Sequence, residues 1–136
     1  MIPPSVPAWV RKAESDLKVA RDELATAEPA TDAVCFHCQQ CAEKYLKAFL
    51  VCHQREIPRT HNIAELLVQC ISIDLRFQSL LESDAPSLTL YAVAVRYPSD
   101  DPFPTLEEAL EALSLATHVR DMVRLCLAEA GCGPNQ

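Results

Sequence analysis

The sequence is poor in glycine and in aromatic residues. Only two of its 136 residues are glycine and 6% are aromatic, whereas Ala, Leu and Glu are frequent. No stretch shows the strict alternation of apolar and polar residues that is typical of a half-buried strand. These absences argue against a β-rich fold and predict an all-α protein whose helices are joined by short loops.

The sequence also lacks a long apolar run. No stretch approaches the ~20 residues that a membrane-spanning helix needs, and no basic and then apolar leader marks the chain for secretion. We therefore expect a cytoplasmic protein with no membrane partner. Because 49% of the residues are hydrophobic, the chain can bury one sizeable core, and we expect a single domain over residues 1–136 with a core of about residues 8–130.

Basic residues are in the minority. The chain has 12 Lys and Arg against 19 Asp and Glu, which gives a formal net charge of −7. Bulk DNA binding depends on neutralising many phosphates, and this charge balance argues against it. A small basic pocket that binds one nucleotide or a short RNA is still compatible with the composition.

No disulfide framework can be read from the sequence. The seven cysteines are an odd number, so at least one is unpaired within the chain, and their spacing predicts no particular pairing. In the reducing compartment that we expect, the cysteines should be thiols that behave as small apolar side chains.

The stretch VCFHCQQCAEKYLKAFL (residues 34–50) has the highest density of side chains that can bind a metal or react. It places Cys35, Cys38 and Cys41 three residues apart, with His37 between the first two. On a helix these steps spread the thiols over about 120°, so all three converge poorly on one ion. We therefore favour helix packing and predict no metal site and no cofactor, while a zinc or iron site and CxxC redox chemistry are the alternatives.

Two helices are predicted in the first part of the chain. The first has an apolar stripe with Ser5 as its cap and Pro7 in its first turn. Its opposite face, which includes Glu14 and Asp16, is expected to be solvated. The second helix should span about residues 31–53.

The next two helices are predicted from caps and prolines. Thr60 is expected to cap the third helix, which should continue past a kink near Asp74. Ser87 should start a fourth helix, which Pro98 must end.

The fifth helix has the clearest signature. Thr105 and Glu108 have the spacing of a capping box, and Gly131 can end the helix. Its apolar stripe is predicted to face the core and consists of Leu106, Leu110, Leu113, Ala116, Val123 and Leu127. The helices together predict an up-and-down bundle of four to five members.

Four segments in order make the chain resemble the HEPN family (higher eukaryotes and prokaryotes nucleotide-binding domain). They are AESDLKVARDEL, FHCQQCAEKYLKAFL, PRTHNIAELL and VRYP, and they lie within about residues 8–128. The second is similar to the family's FHAQQAAEKALKALL and the third to its P-x-THdl-x-L. In this alignment Cys38 and Cys41 take the place of alanines, as the packing interpretation expects.

The resemblance implies a helical bundle that often forms a homodimer. Many HEPN proteins act with a minimal nucleotidyltransferase partner, commonly as toxin–antitoxin pairs, and some are metal-independent RNases. The RNase signature is an Arg followed after four to six residues by a His. Arg96 matches the Arg, but residues 101–103 are Asp, Pro and Phe, so the motif is incomplete and the resemblance favours a protein that is not an enzyme.

The site residues are predicted from topology. If successive helices alternate in direction, the loops after the second and fourth helices lie at the same end of the bundle. That end would hold the candidate nucleotide-binding residues, which are Arg55, Arg59, His61, Arg96 and Tyr97. Arginine forks suit phosphate oxygens and stack on bases. Lys44, on the second helix, is a further candidate, and we expect it to be solvated or paired with Glu43.

These observations leave three hypotheses. The first is a module that binds a nucleotide or a nucleotidyltransferase partner. The second is an RNase in which Arg96 stabilises phosphate charge and His61 is the general base. The third is a thiol metal or redox protein.

Overall fold

Helix α1 spans Val6–Leu24, and α2 spans Thr31–Cys52, close to the predicted range of 31–53. In the computed structural model, which describes residues 4–92 and 103–133, the Ser5 side chain accepts a hydrogen bond from the Ala8 N–H (3.3 Å). Pro7 lies in the first turn, so the predicted start of α1 is confirmed. Helix α2 contacts α1 on one side and later helices on others, and it is buried along most of its length.

The third helix, α3 (Ile63–Ile71), starts at a different cap from the predicted one. The Asn62 side chain accepts the N–H of Glu65 (3.1 Å) and is the cap. The Thr60 hydroxyl instead accepts the Asn62 N–H (3.0 Å), which shapes the turn before the helix.

The predicted kink near Asp74 is a complete break. Asp74 has an extended backbone, and its side chain accepts the N–H of Arg76 (2.9 Å). It thereby caps a 3₁₀ helix (Leu75–Phe77), which leads into the short α4 (Gln78–Glu82). Asp side chains that bond to nearby backbone offer the chain an alternative to a continuous helix.

A second 3₁₀ helix (Ala85–Tyr91) stands where the fourth helix was predicted to start. The predicted remainder of that helix, up to Pro98, lies outside the described residues. No strand occurs in residues 4–92 or 103–133, in agreement with the all-α prediction. Among the same residues, no helix is both long and apolar enough to cross a membrane.

Helix α5 (Leu106–Glu129) has the predicted capping box and end. Thr105 Oγ1 accepts the Glu108 N–H (3.0 Å), and the Glu108 carboxylate accepts the Thr105 N–H (2.9 Å). Gly131 has a φ of +78°, a left-handed conformation that favours glycine.

The core-facing side of α5 was partly mispredicted. Leu106 and Leu110 were expected in the core, yet each is about half exposed. The first turns instead bury Ala109 and Ala112. Periodicity alone did not distinguish the leucine side of these turns from the alanine side.

Helices α2 and α5 run in the same direction. The Thr31 hydroxyl donates to the Pro104 carbonyl (2.6 Å) at their starts, and a Cys52–Cys132 disulfide joins their ends. No local pattern could indicate this pairing, since the two cysteines are 80 residues apart. The expectation that every cysteine is a thiol is therefore wrong for this pair.

Candidate functional site

The side of α2 that faces the 54–62 loop carries a buried polar cluster. Gln39, Glu43 and Lys47 lie at intervals of four residues, so they share one face of the helix. All three are buried, although such side chains are usually exposed. A buried polar group is costly unless its hydrogen bonds are satisfied, so the partners of this cluster need to be accounted for.

Glu43 is the centre of that cluster. Its Oε2 accepts a hydrogen bond from Lys47 Nζ (2.8 Å). Its Oε1 accepts hydrogen bonds from Gln39 Nε2 (3.1 Å) and from His61 Nδ1 (2.8 Å). Burial alone would raise the pKa of Glu43, but the hydrogen bonds from Lys47, Gln39 and His61 outweigh it and lower the pKa below its usual value.

His61 is held in a defined orientation by this cluster. The Gln39 amide donates to the His61 carbonyl (3.0 Å), while Glu43 fixes the imidazole through Nδ1. A carboxylate only accepts, so Nδ1 carries a hydrogen and, in the neutral ring, Nε2 presents a lone pair. The side chain is 68% exposed, so a ligand can reach Nε2. This arrangement of base and orienting carboxylate recurs in enzymes that use general base catalysis.

A second carboxylate–histidine pair lies between α1 and α2. Asp16 Oδ1 is 2.8 Å from His37 Nδ1, and Asp16 Oδ2 accepts from Lys44 Nζ at 2.5 Å. Asp16 was predicted to be solvated, but it is buried in this ion-paired cluster. Lys44 was expected to be solvated or paired with Glu43, but its partner is Asp16, so its ammonium group is not free for a nucleotide.

A third cluster ties α1, α2 and α5 together. The Tyr45 hydroxyl donates to Glu14, which also accepts from Arg120 Nε (2.7 Å), and Arg124 lies 3.4 Å from the Tyr45 oxygen. Burial raises the pKa of Glu14, but the bonds from Arg120 and Tyr45 outweigh it and lower that pKa. Burial and the bond to Glu14 raise the pKa of Tyr45, so this side chain is a satisfied core phenol.

Sequence reasoning missed most of these pairs. The Glu43–Lys47 spacing of four residues was a usable signal, because such pairs meet on one helix face. The contacts of Asp16 with His37, and of Glu43 with His61, join different elements and leave no trace in local spacing.

Unpaired basic residues lie near the end of α2 and along the loop that follows it. Arg55 and Arg59 are exposed in the loop that follows α2, and neither has an ion-pair partner among the described residues. Lys47 Nζ lies 5.9 Å from the centre of the Trp9 ring, which places the start of α1 beside the same end. Arg11 and Lys12 in that part of α1 are also exposed and unpaired within the described chain. We call Arg11, Lys12, Arg55 and Arg59 the basic end, of which Arg59 lies nearest to the middle of α2, because the carbonyl of His61, two residues on, accepts from Gln39.

Comparison with known proteins decides the family. The family model for the HEPN domain matches residues 6–126. The chain belongs to the HEPN family. Among solved structures, TT1696 from Thermus thermophilus superposes with a TM-score of 0.70 at 27% identity, over 87% of this chain and 94% of that one. The archaeal HEPN homologue ST0689 superposes with a TM-score of 0.64 at 25% identity, over 89% of this chain and 96% of the other. No curated protein matches the chain.

The incomplete HEPN motif lies outside the described residues, which include neither Arg96 nor Tyr97. The described residues on either side of it lie near the start of α2, because Tyr91 bonds to Cys35 and Pro104 bonds to Thr31. Arg55, by contrast, follows the end of α2, about 33 Å away along the helix axis. The described residues that flank the motif therefore lie far from Arg55 but close to the segment that holds His61, because the Ile63 N–H bonds to the Thr89 hydroxyl (3.0 Å).

The cysteines on α2 of this HEPN domain pack in the core. Cys35, Cys38 and Cys41 are fully buried, which confirms their predicted packing role. Burial raises the pKa of Cys35 to about 11 and that of Cys38 to about 12, so neither is an activated thiol. No group of three or more His, Cys, Asp and Glu in the described parts of the chain could hold a metal ion.

Proposed function

We propose that this HEPN domain is a binding module that holds the phosphate groups of a nucleotide at its basic end. Two arginines without carboxylate partners among the described residues, Arg55 and Arg59, stand in the same loop as the oriented His61 on a protein of net charge −7. Unpaired guanidinium groups are suited to bidentate binding of phosphate oxygens. The proposal rests on the lack of ion-pair partners for Arg55 and Arg59 among the described residues.

The test is titration of ATP, GTP and a short RNA against wild-type protein and the variant Arg55→Ala/Arg59→Ala. Loss of two phosphate contacts should weaken binding by about tenfold or more. Arg21→Ala/Lys18→Ala removes the same charge from exposed positions at the other end of α1 and is the matched control. Equal affinity of wild type and the Arg55/Arg59 variant would contradict the proposal. Arg96→Ala and Tyr97→Ala test the motif residues separately.

We also propose that the domain works as a homodimer with a minimal nucleotidyltransferase, in a toxin–antitoxin-like pair. The support is membership of the HEPN family, in which such pairs are common. Sedimentation at micromolar concentration and co-expression with the neighbouring reading frame test both parts. A monomer that does not co-purify with the neighbouring product would contradict them.

A second candidate function is a metal-independent RNase, which the Glu43–His61 pair favours. His61 Nε2 would accept the proton of a ribose 2′-hydroxyl as its oxygen attacks phosphorus, and the P–O5′ bond would break as the 5′-oxygen takes a proton from water. An arginine, Arg96 or Arg55, would stabilise the charge on the phosphate. His61→Ala should then abolish EDTA-resistant cleavage, while His118→Ala, at an exposed position on α5, should not change it. Equal product from wild type and His61→Ala would rule out this role.

A further inference from the structure

A cleft of about 480 Å³ lies between the second 3₁₀ helix and the first turns of α5. Its size is within the usual range for a binding pocket. Apolar side chains form its walls, and these are Leu88, Leu90, Tyr91, Ala112 and Leu115. Carboxylates also line it, and these are Asp84, Glu107, Glu108 and Glu111. We call this feature the acidic cleft.

The fold explains only some of these carboxylates. Glu108 belongs to the capping box, and Glu107 in the first turn is favoured by the helix dipole. Glu111 lies one turn further on, where it repels Glu107 across a spacing of four residues. Asp84 and Glu111 have no cationic partner among the described residues. Within residues 4–92 and 103–133, no cation neutralises these two charges.

Apolar side chains are also exposed beside the cleft. Leu90 on its wall is 65% exposed, and Leu106 and Leu110 are about half exposed on the adjoining turns of α5. Exposed apolar residues that cluster and adjoin polar ones mark an interaction surface, whereas single exposed leucines do not. Leu106 and Leu110 do not line the cleft, so Leu90 is the exposed leucine that an occupant of the cleft would cover.

We propose that the acidic cleft is the docking site for a basic amphipathic segment of a partner protein. Lysine or arginine side chains of such a segment would meet Asp84 and Glu111, while its apolar residues would cover Leu90. A phosphate ligand is disfavoured, because the carboxylates would repel it. A symmetric contact with a second copy is also disfavoured, because it would bring the same carboxylates of both copies together. None of the four residues of the basic end lines the cleft, so the proposal does not rest on nucleotide binding.

The test uses a labelled synthetic helix of Leu and Lys, with the lysines on one face, and fluorescence anisotropy at physiological salt. Wild type should bind it, and both Glu107→Gln/Glu111→Gln and Leu90→Ser should weaken binding by about tenfold or more. Glu56→Gln/Glu65→Gln, at exposed positions that do not line the cleft, removes the same charge and should leave binding unchanged. Far-UV circular dichroism confirms that each variant is folded.

Three results would overturn the proposal. The first is a failed binding test, either no binding by wild type or an equal loss of binding in the Glu56/Glu65 control. An equal loss would show that the peptide is attracted to net charge only. The second is complete displacement of the peptide by 1,6-diaminohexane at equal concentration, which would show a site for a small cation. The third is a wild-type dimer that Leu90→Ser converts to a monomer, which would show an interface between copies. The nucleotide affinity of the Glu107→Gln/Glu111→Gln variant should match that of wild type. Failure of the docking proposal can therefore be distinguished from failure of the proposed function.

Discussion

The substitution Glu43→Gln tests the buried cluster on α2 most directly. Glutamine keeps the size of the side chain but removes the charge that faces Lys47 at 2.8 Å. The side chains of Glu43 and Lys47 are only 5% and 10% exposed, so the ammonium group would be left buried without a counter-charge. Removing one partner of a buried pair typically costs about 3–5 kcal/mol.

Two effects set the expected size of this loss. Lys47 keeps its contact with the Trp9 ring, which retains roughly 0.5–1 kcal/mol. Loss of charge at the acceptor of the hydrogen bond that the mostly exposed His61 donates to Glu43 adds no more than about 1 kcal/mol. We therefore expect Glu43→Gln to lower the free energy of unfolding by about 3 kcal/mol at pH 7, measured by urea unfolding with circular dichroism.

A second variant separates the missing charge from other effects. Glu43→Gln/Lys47→Met removes both charges at similar volume, and replacing a buried pair by a neutral one is often nearly neutral. This double variant should therefore be more stable than Glu43→Gln alone. Glu65→Gln makes the same change at an exposed site and should shift stability by less than about 0.5 kcal/mol. A loss below about 1 kcal/mol for Glu43→Gln, or a double variant less stable than the single one, would refute the reasoning.

Three further predictions concern stability. Hydrogen bonds from Arg76 hold the pKa of Asp74 at about 2, below its ordinary value of 3.8, so this stabilisation is present above pH 3.8 and is lost as pH falls towards 2. Unfolding free energies measured from pH 5 to 2 should therefore fall less steeply for Asp74→Asn, and parallel curves would contradict this. Cys41→Ala should cost no more than about 1 kcal/mol in urea unfolding, whereas Cys41→Leu should cost about 1–3 kcal/mol because it overpacks the core; the reverse order would exclude the packing role. The disulfide closes a separation of 80 residues, for which the chain-entropy model gives about 4.5 kcal/mol as an upper value. Reductant should accordingly lower the melting temperature of wild type but not that of Cys132→Ser, and an equal response would contradict the pairing.

The helix starts were predictable because their signals are local. Ser5 and the Thr105–Glu108 capping box act on backbone groups within three residues, so the sequence contains the whole interaction. The third helix was predicted to begin at Thr60 because two nearby residues can both cap, and only the geometry selected Asn62.

The candidate site was less predictable because its contacts join distant segments. A helical wheel places Glu14 and Asp16 on the polar side of α1, yet both belong to clusters whose other members lie 21 to 106 positions away. The pattern shows that these residues are polar, but their burial depends on which cations the neighbouring helices present. The exposed side of α5 was missed for the same reason, since tertiary packing buries Ala109 and Ala112 and leaves Leu106 and Leu110 about half exposed.

The placement of α2 at the centre of the bundle has a consequence for how this chain tolerates change in length. One residue inserted between Gln39 and Glu43 would turn everything beyond it by about 100°. That single event would separate Lys44 from Asp16, Tyr45 from Glu14, and the carboxylate of Glu43 from His61. Surface loops can lengthen without such an effect, whereas an insertion in this helix would break its contacts with three neighbours at once.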